Sequence, residues 1–311
     1  MKLSKTLLFA AILVLLGVVL VVTALAMTDF DLQNLSVSGF EERSYETSAR
    51  LTEIEIDIKN VPVRVEPSRD SSIHLAYYES DRVSYTINEL DNGKLRVTST
   101  DKTKWYDHYF NIVNVDFFYN VFTVTIPESY EGEIRIKTSN GSINIEDLRL
   151  KDLKLTSSNG SITAEKLAVD GEINLNTSNS KIRVSDVSAG GDIICETSNS
   201  PVSIKRAAAE NISVKTSSGS IDINGVAASR ELNLKTSNGK ISFELVNVGS
   251  ALVCKTSNSS VEGVIDGKIT DYTISAETSN ASSTLPSHMR GGDKILDIKT
   301  SNGSISVSFT D

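Results

Sequence analysis

Proline occurs five times in 311 residues, cysteine twice and histidine three times. Each shortage excludes something. Two cysteines cannot build a disulfide framework, and with no histidine cluster beside them they make no metal site. His74, His108 and His288 are scattered along the chain, which offers no His-based nucleophile pair. No nucleophile motif, phosphate loop or calcium-binding repeat is present, so neither metal nor cofactor is expected. Basic charge is also short, with 31 Lys and Arg against 40 Asp and Glu and a net charge of −9. Beyond residue 27 the balance is 29 against 40. Such an exterior excludes nucleic-acid or anionic-lipid binding driven by bulk charge.

Only one long apolar run occurs. Lys2 and Lys5 precede an uncharged stretch from Leu7 to Met27, about the 20 residues that a membrane span requires. The basic flank predicts a cytoplasmic N-terminus and an extracytoplasmic remainder. Residues 1–27 are therefore expected to be a single-pass anchor in the cell membrane. The alternative is a signal peptide cleaved near Ala26, since Ala24-Leu25-Ala26 supplies small residues. Both readings export the chain.

What the sequence has in abundance is one phrase, met nine times. It begins as Thr138-Ser139-Asn140-Gly141-Ser142-Ile143 and ends as Thr300-Ser301-Asn302-Gly303-Ser304-Ile305. The Asn slot holds Asn140, Asn159, Asn179, Asn199, Ser218, Asn238, Asn258, Asn280 and Asn302, at spacings of 19 to 22 residues. A fixed period in this range marks a repeat architecture. Six and four residues before each Asn slot stand apolar side chains such as Ile173 and Leu175. Three and five after it stand others such as Ile182 and Val184. Ser283 and Gly263 alone break these columns. Alternation of period two on both sides of the phrase predicts two half-buried strands per unit.

Asn-Gly between such strands is also a hairpin signal, so an antiparallel meander is the rival architecture. The Gly slot, however, holds Ser180, Ser200, Ser259 or Ala281 in four units, which suits a primed turn poorly. Ser precedes the Asn slot in all nine units, and Thr stands before it in eight. Such repetition favours a parallel β-solenoid of about 20 residues per coil, with Asn and Thr hydrogen-bonded along the axis as ladders. One coil cannot stand alone. Four or five buried apolar side chains at ~1.5–3 kcal/mol each do not offset about 20 ordered residues at ~1–2 kcal/mol apiece. Nine coils at ~4.8 Å predict a rod on the order of 40 Å long. Cys195 and Cys254 share one inward slot three coils apart, too far for a disulfide if the coils stack in register.

The remaining segments fit around the rod. Residues 28–50 read as a polar stalk, 51–130 as irregular opening β coils (or a separate small β-sandwich), and 131–311 as the regular solenoid. Asp91-Asn92-Gly93 is a turn. Trp105, Tyr106, Tyr109 and Phe110, with Phe117, Phe118, Tyr119 and Phe122, form the densest aromatic cluster. They are read either as a binding patch or membrane-dipping loop, or as the plug of the first coil. Three before the Asn slot, Lys215, Lys235 and Lys255 make a basic stripe able to meet an anionic wall polymer or peptide, or else a plain solvated face. Pro286 to Gly292 is expected to bulge from the rod, and Ile305–Phe309 to end it as an open edge.

Ile54-Glu55-Ile56-Asp57-Ile58, Val124-Thr125-Ile126-Pro127 and the tandem Thr-Ser-Asn-Gly-Ser-Ile units, behind one N-terminal membrane segment, resemble the bacterial putative-adhesin domain family of the LiaG-like type. The resemblance spans roughly residues 50–311. It implies an all-β, right-handed β-solenoid displayed outside the cell and linked to the cell envelope, and it supplies no catalytic residues. A non-enzymatic surface protein, adhesin-like or associated with envelope stress, is the function expected; its partner would be an envelope polymer, peptide or protein. A spacer or scaffold for a membrane partner is the second reading. The third, a polysaccharide-acting enzyme, rests on Asp222 and Glu262 on either side of Ser242, an isolated pair of carboxylates two coils apart.

Overall fold

The computed structural model describes residues 5–26, 40–80, 82–102 and 120–311. The helix α1 (Lys5–Ala26) stands first. The side chains described on it, Phe9, Leu13 and Leu16 among them, are exposed. Among the described residues no helix is long and apolar enough to cross a membrane. Among the described residues, the elements after it are strands apart from a short 3-10 turn, Ile269–Asp271.

The strands stack in parallel, each over its copy in the next coil. Leu153 pairs with Ile134 on one side and Ile173 on the other, and Ile162 lies between Ile143 and Ile182. This disposes of the antiparallel meander. Its backbone signature is missing too: among the described residues, positive φ falls outside every Thr-Ser-Asn-Gly phrase. The phrase is a corner, at which the chain leaves one sheet face for the next.

A second corner is made by a single left-handed residue. Asp147, Lys166, Asp186, Arg206 and Leu245 have φ between 49° and 57°, and Gly225 holds the same place at 61°. The bend lets Leu148, Leu167, Val187 and Val226 point back inside after the second strand. Each coil thus has three short walls around one apolar interior, and the buried side chains form a single cluster from Leu51 to Val307. Left-handed L-residues cost roughly 1–2 kcal/mol each, so the stacked walls hold the column in place. Its side chains alternate in sign, and Arg206 makes a two-pronged bond to Asp186 at 2.6 and 2.7 Å.

The coils do not follow sequence order at either end. Glu53–Asp57 and Val63–Ser68 form a coil lying directly on the Asn140 coil. Lys94–Asp101 and Phe122–Pro127 form another, which stacks on its far side. The chain therefore builds the second coil before the outermost one. Among the described residues, three antiparallel strands close that end. Val83–Leu90 covers Lys94–Asp101 through a turn at Gly93, Ile73–Glu79 covers Phe122–Pro127, and Glu41–Thr47 covers Ile73–Glu79. Part of the expected stalk is thus a cap strand, and the described residues of 51–130 pair directly with the solenoid, their coils out of sequence order.

At the other end Lys294–Thr300 and Ile305–Phe309 insert between two earlier coils. They pair with Ala251–Lys255 and Val261–Ile265 on one side, and with Tyr272–Thr278 and Ser283 on the other. The stacking order is Asn258, Asn302, Asn280. Two expectations change accordingly. Ile305–Phe309 does not end the rod; Thr284 N–H donates to the Ile305 carbonyl on its outer edge. The Pro286–Gly292 segment does not simply bulge, because His288–Met289 folds back antiparallel over Ile274 and Ser275 as the terminal cover. With the two coils before Asn140, the rod is about 50 Å long at ~4.8 Å per step.

Candidate functional site

The surface is best read as columns, one residue per coil. In the Asn column each side-chain amide donates to the carbonyl oxygen of the coil before it: Asn159 to Asn140 at 2.7 Å, Asn179 to Asn159 at 2.7 Å and Asn199 to Asn179 at 2.6 Å. The same bond joins Asn258 to Asn238, Asn302 to Asn258 and Asn280 to Asn302. Asn140 donates in turn to Asn60, and Asn60 Nδ2 to the Asp101 carboxylate at 2.5 Å. All donors point one way, so the amide dipoles add, and a negative charge stands at their positive end. Asn60 and Asp101 lack the repeat phrase. Ile54, Ile56, Val63 and Val65 around Asn60 nevertheless hold the four apolar slots, a spacing that identifies it without the phrase. The ladder breaks at Ser218, where Asn238 Nδ2 makes only a long 3.4 Å contact to the Ser217 carbonyl.

Thr does not form a second ladder of side chains. Its hydroxyl is buried and works as a bracket. Thr236 Oγ1 donates to the Gly219 carbonyl in the coil below and accepts from the Gly239 N–H of its own coil, both at 3.1 Å. Ser157, Thr300 and Thr138 repeat the arrangement. Glycine at 160, 219 and 239 allows this approach, since a Cβ there would overlap the carbonyl of the coil below.

The lysine column is longer than the sequence order suggests. Lys215 lies in register with Lys235, and Lys235 with Lys255. The inserted coil then places Lys299 beside Lys255, and Glu277 follows Lys299. Glu196 closes the column beyond Lys215. Lys255 reaches Asp297 at 3.1 Å and Lys299 reaches Glu277 at 3.1 Å. Among the described residues no ion pair within 4 Å involves Lys215 or Lys235. Trp105, Tyr106, Tyr109 and Phe110 lie outside the described residues. At that end Tyr77, Tyr85 and Phe122 form a ring cluster, with centroids 5.1 to 5.5 Å apart, packed over the end of the core.

Asp222, Ser242 and Glu262 do line up in register. Ser242 Oγ lies 3.3 Å from Asp222, while Glu262 is held by Lys240 at 2.7 Å. That bond, with one from Ser260, keeps the Glu262 carboxyl below its ordinary range, the opposite of what a proton-donating acid needs. A cavity of about 490 Å³ at the far end lies among Ala276, Glu277, Ser283 and Leu285. The hydroxyls of Thr278 and Thr300 on its wall are spent on carbonyls of Gly303 and Ser259. Cys195 and Cys254 are free and buried.

These features define a class: an all-β repeat protein, coiled as a parallel solenoid, with its chemistry laid out in axial columns. A family model matches residues 51–308, and the chain belongs to that family, the Toastrack DUF4097 domains. Among solved structures it is similar to a putative adhesin from Bacteroides fragilis, with 14% identity, 86% of this chain and 97% of that one covered, and a TM-score of 0.33. It is similar also to a putative cell adhesion protein from Clostridium sporogenes (10% identity, 88% and 100% covered, TM-score 0.28). A third is a putative lipid binding protein from Parabacteroides distasonis (14% identity, 86% and 96% covered, TM-score 0.25). No curated protein matches the chain.

Proposed function

We propose that this chain is a non-enzymatic display rod, anchored in the cell membrane by its N-terminal segment and exposed outside, where its faces bind a component of the cell envelope. The observation that carries the reading is the arrangement of chemistry in columns along an extended, polar exterior. Such a surface suits an elongated partner rather than one reacting bond. The carboxylates best placed for catalysis, Asp222 and Glu262, stand on alternate coils, and Glu262 is committed to Lys240. Support for the anchor is the uncharged sequence from Leu7 to Met27, part of which lies outside the described residues. Secretion after cleavage near Ala26 is the variant of this reading.

Buried native thiols make a clean test. Ser306 faces outward and is exposed; in Ser306→Cys a membrane-impermeant maleimide should label intact cells, and wild type should not react. Labelling only after lysis would refute export, and labelled protein in the medium would place cleavage above anchoring. A spacer is the second reading, favoured by coils that stack on backbone register. Removing residues 160–179, one full period, should leave a spacer working but shorten it by about 4.8 Å.

A further inference from the structure

We propose that Lys215, Lys235, Lys255 and Lys299 form a docking track for a linear, phosphate-bearing polyanion lying along the rod axis. The inference rests on the display reading and names its ligand chemistry.

Like charges directly opposite on neighbouring strands destabilise a sheet. Elsewhere among the described residues like charges in register stop at isolated pairs, Glu146 opposite Glu165 and Arg135 opposite Lys154, and longer runs alternate or are compensated. The left-handed corner column alternates Asp147, Lys166, Asp186 and Arg206. A run of acids on the first face is also compensated: Glu53 meets Lys94 and Arg135, and Glu133 meets Arg135 and Lys151. Asp152 and Asp192 accept the backbone N–H groups of Glu172 and Asn211. The lysine column is longer than those pairs. Four cations stand in register on four adjacent coils, spanning about 14 Å at ~4.8 Å per strand.

The two acids that touch it do so at one end: Asp297 binds Lys255 and Glu277 binds Lys299. At the other end Glu196 lies one coil from Lys215 and engages Asn176 at 3.4 Å. Lys235 has a lysine on each side. Its surroundings are neutral and rich in hydrogen-bonding groups. Ser213 and Asn233 stand two residues before Lys215 and Lys235, and Ser217 and Ser237 two after. The break in the amide ladder at Ser218 leaves Asn238 Nδ2 with only its long contact.

Lysine without arginine suits a phosphate oxygen met as a point charge. The planar fork of arginine, which grips carboxylate and phosphate alike in a two-pronged geometry, is absent from these four positions. The net-negative body repels a polyanion everywhere else, so attraction is confined to the track and strongly screened by salt.

The test uses the full chain and a labelled inorganic polyphosphate as probe, with poly-glutamate of similar charge as comparator. Wild type should bind polyphosphate at low ionic strength and weaken at about 0.15 M salt, where screening acts within about 8 Å. Changing all four lysines to Gln should reduce affinity about tenfold or more, as four exposed ion pairs warrant, while Lys→Arg at the four sites retains binding. A control variant changes Lys154, Lys166, Lys181 and Lys205, all exposed on other columns, to Gln. It carries the same net charge and should bind as wild type. The proposal is overturned if the track variant binds as wild type, if the control loses as much, or if poly-glutamate binds as tightly as polyphosphate. Because these side chains point outward, an unchanged thermal melt separates lost docking from lost folding. Maleimide labelling of Ser306→Cys is scored on the same variants. A rod exposed on cells but indifferent to the lysines sinks the track alone, and a rod never exposed sinks the display reading.

Discussion

Replacing Thr236 by valine removes one hydroxyl and keeps the shape of the side chain. Its structural cost can be worked out locally. Thr236 is 4% exposed, and its Oγ1 serves two backbone groups, the Gly219 carbonyl and the Gly239 N–H. In Thr236→Val both are stranded inside the wall. Each unsatisfied buried group costs about 1–3 kcal/mol, so the expected loss for two is roughly 2–6 kcal/mol. Asn238, two residues on, is the more conspicuous residue of the phrase. Yet it is exposed, and Asn238→Ala gives up one good bond, that from Asn258 at 2.7 Å. Water replaces a partner there, so about 0.5–1.5 kcal/mol is expected. Urea unfolding of the two variants measures the difference. Native-state hydrogen exchange at Gly239 localises it, since that amide should lose protection in Thr236→Val and keep it in Asn238→Ala. If Asn238→Ala were the more damaging, or Gly239 stayed protected without the hydroxyl, the bracket would not be what fastens coil to coil.

Two further tests address the core. Gly263 faces the Phe243 ring in register, and a Cβ at 263 would overlap that ring. Gly263→Ala should therefore cost about 1–3 kcal/mol, largely recovered in a Phe243→Leu background; additive losses in the double-mutant cycle would deny the pairing. Burial pushes the Cys195 thiol from 9.0 up to about 12, and raises Cys254 further, Asp297 adding to the effect. A group whose folded pKa is raised gives stability that is present below the unfolded value and lost above it. Stability should thus fall between about pH 9 and about pH 12, more steeply in wild type than in a Cys195→Val, Cys254→Val double variant. Equal slopes in pH-dependent unfolding would contradict the assignment.

The sequence was most legible where one coil resembles the next. The inward columns around Asn159 and Asn179 predicted parallel stacking, because a strand of period two with a fixed repeat has few other ways to bury one face. It was least legible at the ends. Spacings of 22 at Asn280 and Asn302 look like mild lengthening, but physical adjacency there is between Asn258 and Asn302, 44 residues apart. Periodicity records which residues are equivalent and carries no information on the order in which equivalent coils stack. Lys299 was missed as a member of the lysine column for that reason, since sequence order puts Glu277 next to Lys255. Asn60 was hidden because its corner reads Lys59-Asn60-Val61-Pro62, without the phrase. The chemistry of Thr was misread for a different cause. A repeated hydroxyl suggests a chain of hydroxyls, whereas burial turns each one toward the nearest backbone groups.

The insertion of residues 294–309 between two coils made earlier has a bearing on how the molecule comes into being. A stack laid down in order could settle unit by unit as the chain was made. Here the unit built from 272–285 has no permanent neighbour until the later segment slides in beneath it. A product lacking 294–309 would carry two raw sheet margins at once, one on the Asn258 unit and one on the Asn280 unit, each open to foreign strands or proteases. The tip thus works as a clasp that shuts only once residues 294–309 are in place.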